Sequence, residues 1–224
     1  MSIKENLELV RRRIAAAAVA AGRDPEGIKL VAVIKNVPLA DVEAALAAGL
    51  TELGENRIQE AEERNQLLRA KYPAVGFHLI GHLQRNKVRQ ALDMFDIIQS
   101  LDSERLAAEI SQRAVKPVPV LIEVNTSGET AKFGIEPEQT VALVRYASSL
   151  EKIKILGLMT VGPLSGEPSA AFRRLRELRE RIAALDLPGV EMKYLSMGMT
   201  DDFEAAIAEG SNLLRIGRGI FKGG

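Results

Sequence analysis

Three groups of residues carry the chemistry that this chain could do. Lys35 closes the apolar run Leu30-Val31-Ala32-Val33-Ile34. Such a run is the pattern of a strand buried on both faces. The amine would then stand at the strand's C-terminal end, where partial desolvation favours the neutral, nucleophilic form. A lysine snorkelling out of a strand end would read the same way. The second group is Ser196-Met197-Gly198-Met199-Thr200-Asp201-Asp202, which leads into a helix with Phe203, Ala206 and Ile207 on its apolar face. Glycine permits close backbone approach, Thr200 brings a hydroxyl and a helix N-terminus brings free N–H groups, the parts of an anion site. An ordinary helix cap at Thr200 or Asp201 uses the same residues. The third is Arg215-Ile216-Gly217-Arg218-Gly219, two glycines around a basic residue, which suits either a phosphate cradle or the turn that ends a last strand.

Taken together, two anion-competent loops and an amine at strand ends imply a phosphorylated carbonyl compound, either a phosphosugar or pyridoxal phosphate. The two histidines lie in Phe77-His78-Leu79-Ile80-Gly81-His82, a strand entering a turn. Their rings would not share a helix face as a metal pair does, so no metal site is expected. His82 reads as lining the pocket mouth or as a structural donor. Glu55 and Asn56 follow Gly54 at another strand end, where solvation at a loop tip is slightly favoured over a place in the site. The run from Arg173 to Arg181, with Glu177 and Glu180, reads as a solvated helix face carrying i,i+4 ion pairs.

The elements that must position these groups alternate in period. Ser2 and Glu5 form a capping-box pattern, Leu7, Val10, Ile14 and Ala17 recur at helical spacing, and Gly22-Arg23-Asp24-Pro25 supplies a stop. Strands are expected at 30–34, 52–53, 77–80, 96–99, 118–124, 155–161, 192–195 and 213–216, each followed by a helical pattern. Eight such units predict an α/β fold, a single (β/α)8 TIM-type barrel over 1–224 with an extra N-terminal helix. An open doubly wound sheet is the competitor, because periodicity fixes alternation and not closure. The stretch 44–54 echoes 205–217: helix, glycine stop, short strand, glycine. Lys plus Arg equal Asp plus Glu at 30 each, which disfavours nucleic acid, and the absence of cysteine removes disulfides and thiolate nucleophiles. No stretch reads as a signal peptide or a membrane span, so a cytoplasmic protein is expected.

Several longer motifs, in order, carry a resemblance over essentially the whole chain. They are Val31 to Lys35, Gly54-Glu55-Asn56, His78 to Lys87, Asn125-Thr126-Ser127-Gly128 with Lys132 to Ile135, Gly157-Leu158-Met159, Ser196 to Asp202 and Arg215-Ile216-Gly217. The chain resembles the YggS/PROSC-type pyridoxal phosphate homeostasis proteins, relatives of the N-terminal barrel of alanine racemase. The resemblance implies a Schiff base between pyridoxal 5'-phosphate and Lys35. It also implies a cofactor site with Asn56, His82 and Ser196, a phosphate held by Gly198, Met199, Thr200, Gly217 and Arg218, and Arg215 facing the pyridine nitrogen. Arginine there leaves that nitrogen unprotonated and weakens the ring as an electron sink. Racemases of the related fold take a tyrosine base from a further C-terminal domain, and none is expected between the eighth unit and Gly224. The function implied is capture, buffering and delivery of the cofactor to PLP-dependent apoenzymes without robust turnover, by a monomer or weak homo-oligomer. The alternative is an amino-acid racemase or a Schiff-base lysine aldolase. Ile34, Asn36 and Arg218 depart from the family pattern of serine, threonine and threonine. Thr200 stands for a frequent serine, and Arg218 is expected to offer the phosphate charge in place of a hydroxyl.

Overall fold

The computed structural model of the protein describes residues 1–222. Ser2 caps α1 (Ile3–Ala20) through a complete capping box: its hydroxyl accepts the Glu5 N–H while Glu5 accepts the Ser2 N–H at 2.7 Å. The chain then alternates strand and helix: β1 (Lys29–Val33), α2 (Leu39–Ala47), β2 (Glu52–Glu55), α3 (Ile58–Lys71), β3 (Gly76–Leu79), α4 (Val88–Met94), β4 (Ile97–Leu101) and α5 (Glu104–Arg113). It continues through β5 (Val118–Glu123), α6 (Pro137–Ser148), β6 (Ile153–Met159), α7 (Ser169–Ala183), β7 (Val190–Ser196), α8 (Phe203–Ala208), β8 (Leu213–Ile216) and α9 (Arg218–Phe221).

The strands are parallel and close in sequence order, with β8 returning to β1 in the register Val31↔Arg215. Closure decides the alternative left by periodicity: the sheet is a barrel, not an open doubly wound sheet. Because α9 is a single turn, α1 packs against α8, α9 and α2, and so takes a place in the outer ring. Asn6 fastens it by donating to the Ile220 carbonyl at 3.0 Å. Among the described residues no helix is long and apolar enough to cross a membrane.

Two apolar sets hold the fold. The larger lies between strands and helices, and a smaller one, Val31, Leu121, Met159, Tyr194 and Leu213, fills part of the bore. Register shifts at β6, on both its neighbours, bend the strand around Gly157. There φ is 155°, and an added Cβ would stand 2.0 Å from the Tyr194 carbonyl oxygen. Gly157→Ala is therefore expected to lower the unfolding free energy by roughly 3 kcal/mol. Urea denaturation reads this as a lower midpoint, and an unchanged midpoint would contradict the close packing of β6 on β7.

Candidate functional site

The C-terminal ends of the strands form one rim, the face on which barrels of this type build their sites. β1 stops at Val33, and Lys35 lies beyond it in a turn with Asn36, whose φ is 57°. The Ile34 N–H still goes to the Gly54 carbonyl at 3.0 Å, and the Val37 N–H closes back onto the Ile34 carbonyl at 3.1 Å. This turn lifts residue 35 out of the ladder, and its side chain is exposed. The expectation of a partly desolvated lysine on the strand end is thus corrected. The Asn36 departure has a physical reading: asparagine tolerates the left-handed region, whereas a β-branched residue strains there.

Glu55, expected as a solvated loop tip, is 1% exposed and paired with Arg64 of α3. Arg64 also donates to the Val37 carbonyl at 3.1 Å, so this buried ion pair braces the turn that carries Lys35. Asn56 presents a buried Oδ1 with no protein partner, and its backbone carbonyl fits against Gly81 with no room for a Cβ. His82 stacks on Phe133, ring centroids 4.2 Å apart, with its Nδ1 3.4 Å from Asp102. A groove of about 510 Å³ runs beside His82 and Asp102. A larger groove of about 590 Å³, lined by Arg11, Lys29 and Glu52 among others, opens at the opposite end of the barrel. The rim is the better candidate because the amine and the two loops meet there.

The two loops read as anion-competent are joined. Gly198 has φ 99° and lies so close to α8 that a Cβ would meet that of Ala206 at 2.7 Å. Thr200 accepts the Gly219 N–H at 3.3 Å, tying the loop after β7 to α9, the single turn that follows β8 and Gly217. An added Cβ at Gly217 would stand 3.2 Å from the Val33 carbonyl oxygen, which brings this double loop beside the chain leading to Lys35. The residue at the N-cap position of α8 is Asp202 rather than Thr200 or Asp201; its carboxylate makes no bond to the helix and instead accepts the Met199 N–H of the preceding loop at 2.5 Å. Arg218 pairs with Asp201 in solvent, so part of its charge is already answered by a carboxylate. The arginine run on α7 is only partly an i,i+4 ladder. Arg176 stands 3.8 Å from Glu180, but Arg173 and Arg176 both reach Glu209, which ties α7 to the end of α8.

Arg215 points into the bore, 3% exposed. Its Nη1 donates to Ser196 Oγ at 2.6 Å and its Nη2 to the Thr160 carbonyl at 2.7 Å. Burial pulls the guanidinium down to about 10, against the field of Glu123 and Asp202, which leaves it charged at neutral pH. Glu123 was not singled out in the sequence. It is 6% exposed, its Oε2 has no hydrogen-bond partner among the described residues, and burial pushes its carboxyl up to about 7, with Asp102 adding to the rise and Arg215 opposing it. Strand patterning could have found it, as the charged residue that ends the apolar run of β5.

The comparisons with known proteins agree with the fold. A family described as the alanine racemase N-terminal domain matches residues 2–223. A Pseudomonas aeruginosa relative named pyridoxal phosphate homeostasis protein is 41% identical, over 98% of this chain and 95% of its own length. The structure of PipY from Synechococcus elongatus with PLP bound superposes with a TM-score of 0.86 at 32% identity, covering 98% of this chain and all of that one. Alanine racemase from Corynebacterium glutamicum, at 14% identity, shares the fold with a TM-score of 0.71 over 96% of this chain and 60% of its own.

Glu123 gives the site a pH signature. Its carboxyl is raised from 4.5 to about 7, so the folded state binds the proton more tightly than the unfolded chain. That contribution is complete below the unfolded value and is lost as pH rises through the folded one. Glu123→Gln should therefore match the wild type near pH 4 and exceed its stability near pH 8, by up to about 3 kcal/mol. Urea melts at the two pH values check this, and a variant equally stable or less stable at the higher pH would refute the buried, unpaired carboxylate.

Proposed function

The chain belongs to the alanine racemase N-terminal-domain family, and from that premise we propose that it binds pyridoxal 5'-phosphate at the barrel rim, with Lys35 as the covalent attachment point. The single observation that carries this reading is the junction of β1 and β8. There the turn bearing Lys35, the Gly217 loop and, through Thr200, the Gly198 loop adjoin one another. The residues present suit such a group. Asn56 Oδ1 and Glu123 Oε2 are buried polar atoms without partners among the described residues, and the absence of a side chain at Gly198 and Gly217 lets their loops lie close against α8 and the end of β1.

Gly198, Met199, Thr200, Gly217 and Arg218 would hold the phosphate. Ser196 and Arg215 would support the ring, and Asn56 and His82 would border it. When bound, pyridoxal phosphate supplies an aldehyde that condenses with amines and a ring that withdraws electrons. Arg215 uses two of its five N–H groups on Ser196 and Thr160, and it can only donate, so it favours an unprotonated ring nitrogen. An amine exposed on a turn suits capture and release better than a locked catalytic lysine does. The function we propose is capture, buffering and delivery of the cofactor to PLP-dependent apoenzymes, without sustained turnover, by a cytoplasmic single-domain barrel. The relatives named pyridoxal phosphate homeostasis protein support this reading. A racemase or lysine aldolase is the second reading, favoured by one feature: Glu123 can hold a proton at the site near neutral pH.

Mixing the protein with pyridoxal phosphate should give a yellow complex, and borohydride reduction followed by peptide mapping should place the added mass on Lys35. Lys35→Ala should lose that mass while remaining folded. Unchanged wild-type spectra would reject the cofactor, and steady consumption of an amino acid abolished by Lys35→Ala would favour the second reading.

A further inference from the structure

A run of polar side chains crosses the barrel interior, where aliphatic residues usually fill the layers. Arg215 on β8 donates to Ser196 on β7 at 2.6 Å, and Ser196 donates across the bore to Gln99 Oε1 on β4, also at 2.6 Å. Gln99 Nε2 meets His78 Nδ1 on β3 at 2.8 Å, and His78 Nε2 meets Glu52 Oε2 on β2 at 3.0 Å. Glu52 in turn pairs with Lys29 at 3.3 Å, at the end of the barrel opposite the rim. His78, Gln99, Ser196 and Arg215 are all 3% exposed or less. Burying so many polar groups is costly unless every partner is in place.

We propose that Gln99, His78 and Glu52 are positioning residues for Arg215, acting as a one-way hydrogen-bond chain that fixes its guanidinium at the rim. The reason is directional. A guanidinium only donates and a carboxylate only accepts, so the two ends impose one sense on everything between them. His78 must give its Nε2–H to Glu52, which leaves Nδ1 as the acceptor for the Gln99 amide. The Gln99 carbonyl then takes the Ser196 hydroxyl hydrogen, and a Ser196 lone pair faces Arg215. Turning the Gln99 amide over would demand a hydrogen on His78 Nδ1, and in the neutral ring that sets the Nε2 lone pair against the Glu52 carboxylate. Burial pushes the Glu52 carboxyl up, but the hydrogen bond from His78 and the neighbouring charge of Lys29 outweigh it and hold it below the usual range. With Nη2 held by Thr160, both ends of the guanidinium are tied.

The role assigned to Arg215 rests on the cofactor reading above, so the test has one arm that does not use the cofactor. With only two histidines in the chain, nitrogen-15 NMR of the cofactor-free protein resolves His78. Expected is a single Nε2–H tautomer in the wild type, retained in Glu52→Gln, whose carbonyl still accepts, and lost to a mixture in Glu52→Leu. In the second arm, Glu52→Leu and Gln99→Leu release pyridoxal phosphate about tenfold faster, with a shifted absorption band, while Glu52→Gln behaves as wild type. A wild-type Nδ1–H tautomer, or a folded Glu52→Leu protein with wild-type tautomer and release rate, overturns the chain. If the wild type takes up no cofactor, the functional reading falls, and the tautomer arm still decides the chain.

Discussion

Return of β8 to the side of β1 is the constraint on which the rest of this structure depends. The pairing Val31↔Arg215 joins residues from opposite ends of the chain, and with it the first strand's turn meets the last strand's glycine loop. In an open sheet the same two strands could lie far apart, and the amine and the anion-competent loops would be separate features. Closure also abolishes sheet edges and encloses a bore that must be filled. The filling is divided, with Val31, Leu121, Met159, Tyr194 and Leu213 forming an apolar part and Arg215, Ser196, Gln99 and His78 a polar one.

That polar part sets the electrostatics of the rim. Among the described residues no carboxylate is bonded to Arg215; its charge is met by neutral oxygens of Ser196 and Thr160 and, at longer range, by Glu123 and Asp202. A cation solvated by fixed dipoles keeps donors for a ligand, whereas a direct ion pair would consume them. Glu123 is the complementary case, a carboxyl buried without a hydrogen-bond partner at Oε2 among the described residues and so biased toward its neutral form. Lys35 contrasts with both, since it stands in solvent on a turn braced from beneath by Glu55 and Arg64.

Much was legible in the residues. The capping box at Ser2 and Glu5, the alternation of strand and helix, and the bounds of β8 all follow from spacing alone. So does the echo between α2–β2 and α8–β8, because each is a local grammar of propensity, cap and glycine stop. The ordered motifs carried the family, which the relatives show over nearly the full chain. Glu55 was misread because a carboxylate after a glycine looks like a loop tip until Arg64 of the next helix is known to fold onto it.

What the sequence by itself determined is therefore the set of elements and the residue types at their ends, since periods of 2 and 3.6 are properties of neighbouring residues. Only the tertiary structure decided that the sheet closes and that Lys35 leaves its strand for a turn at Asn36. It alone decided, too, that Gln99 meets Ser196 across the bore, a contact 97 residues apart in the chain. The physical reason is that hydrogen bonds and burial act through space, and no pattern along the chain records which distant side chains a closed barrel will place within bonding distance.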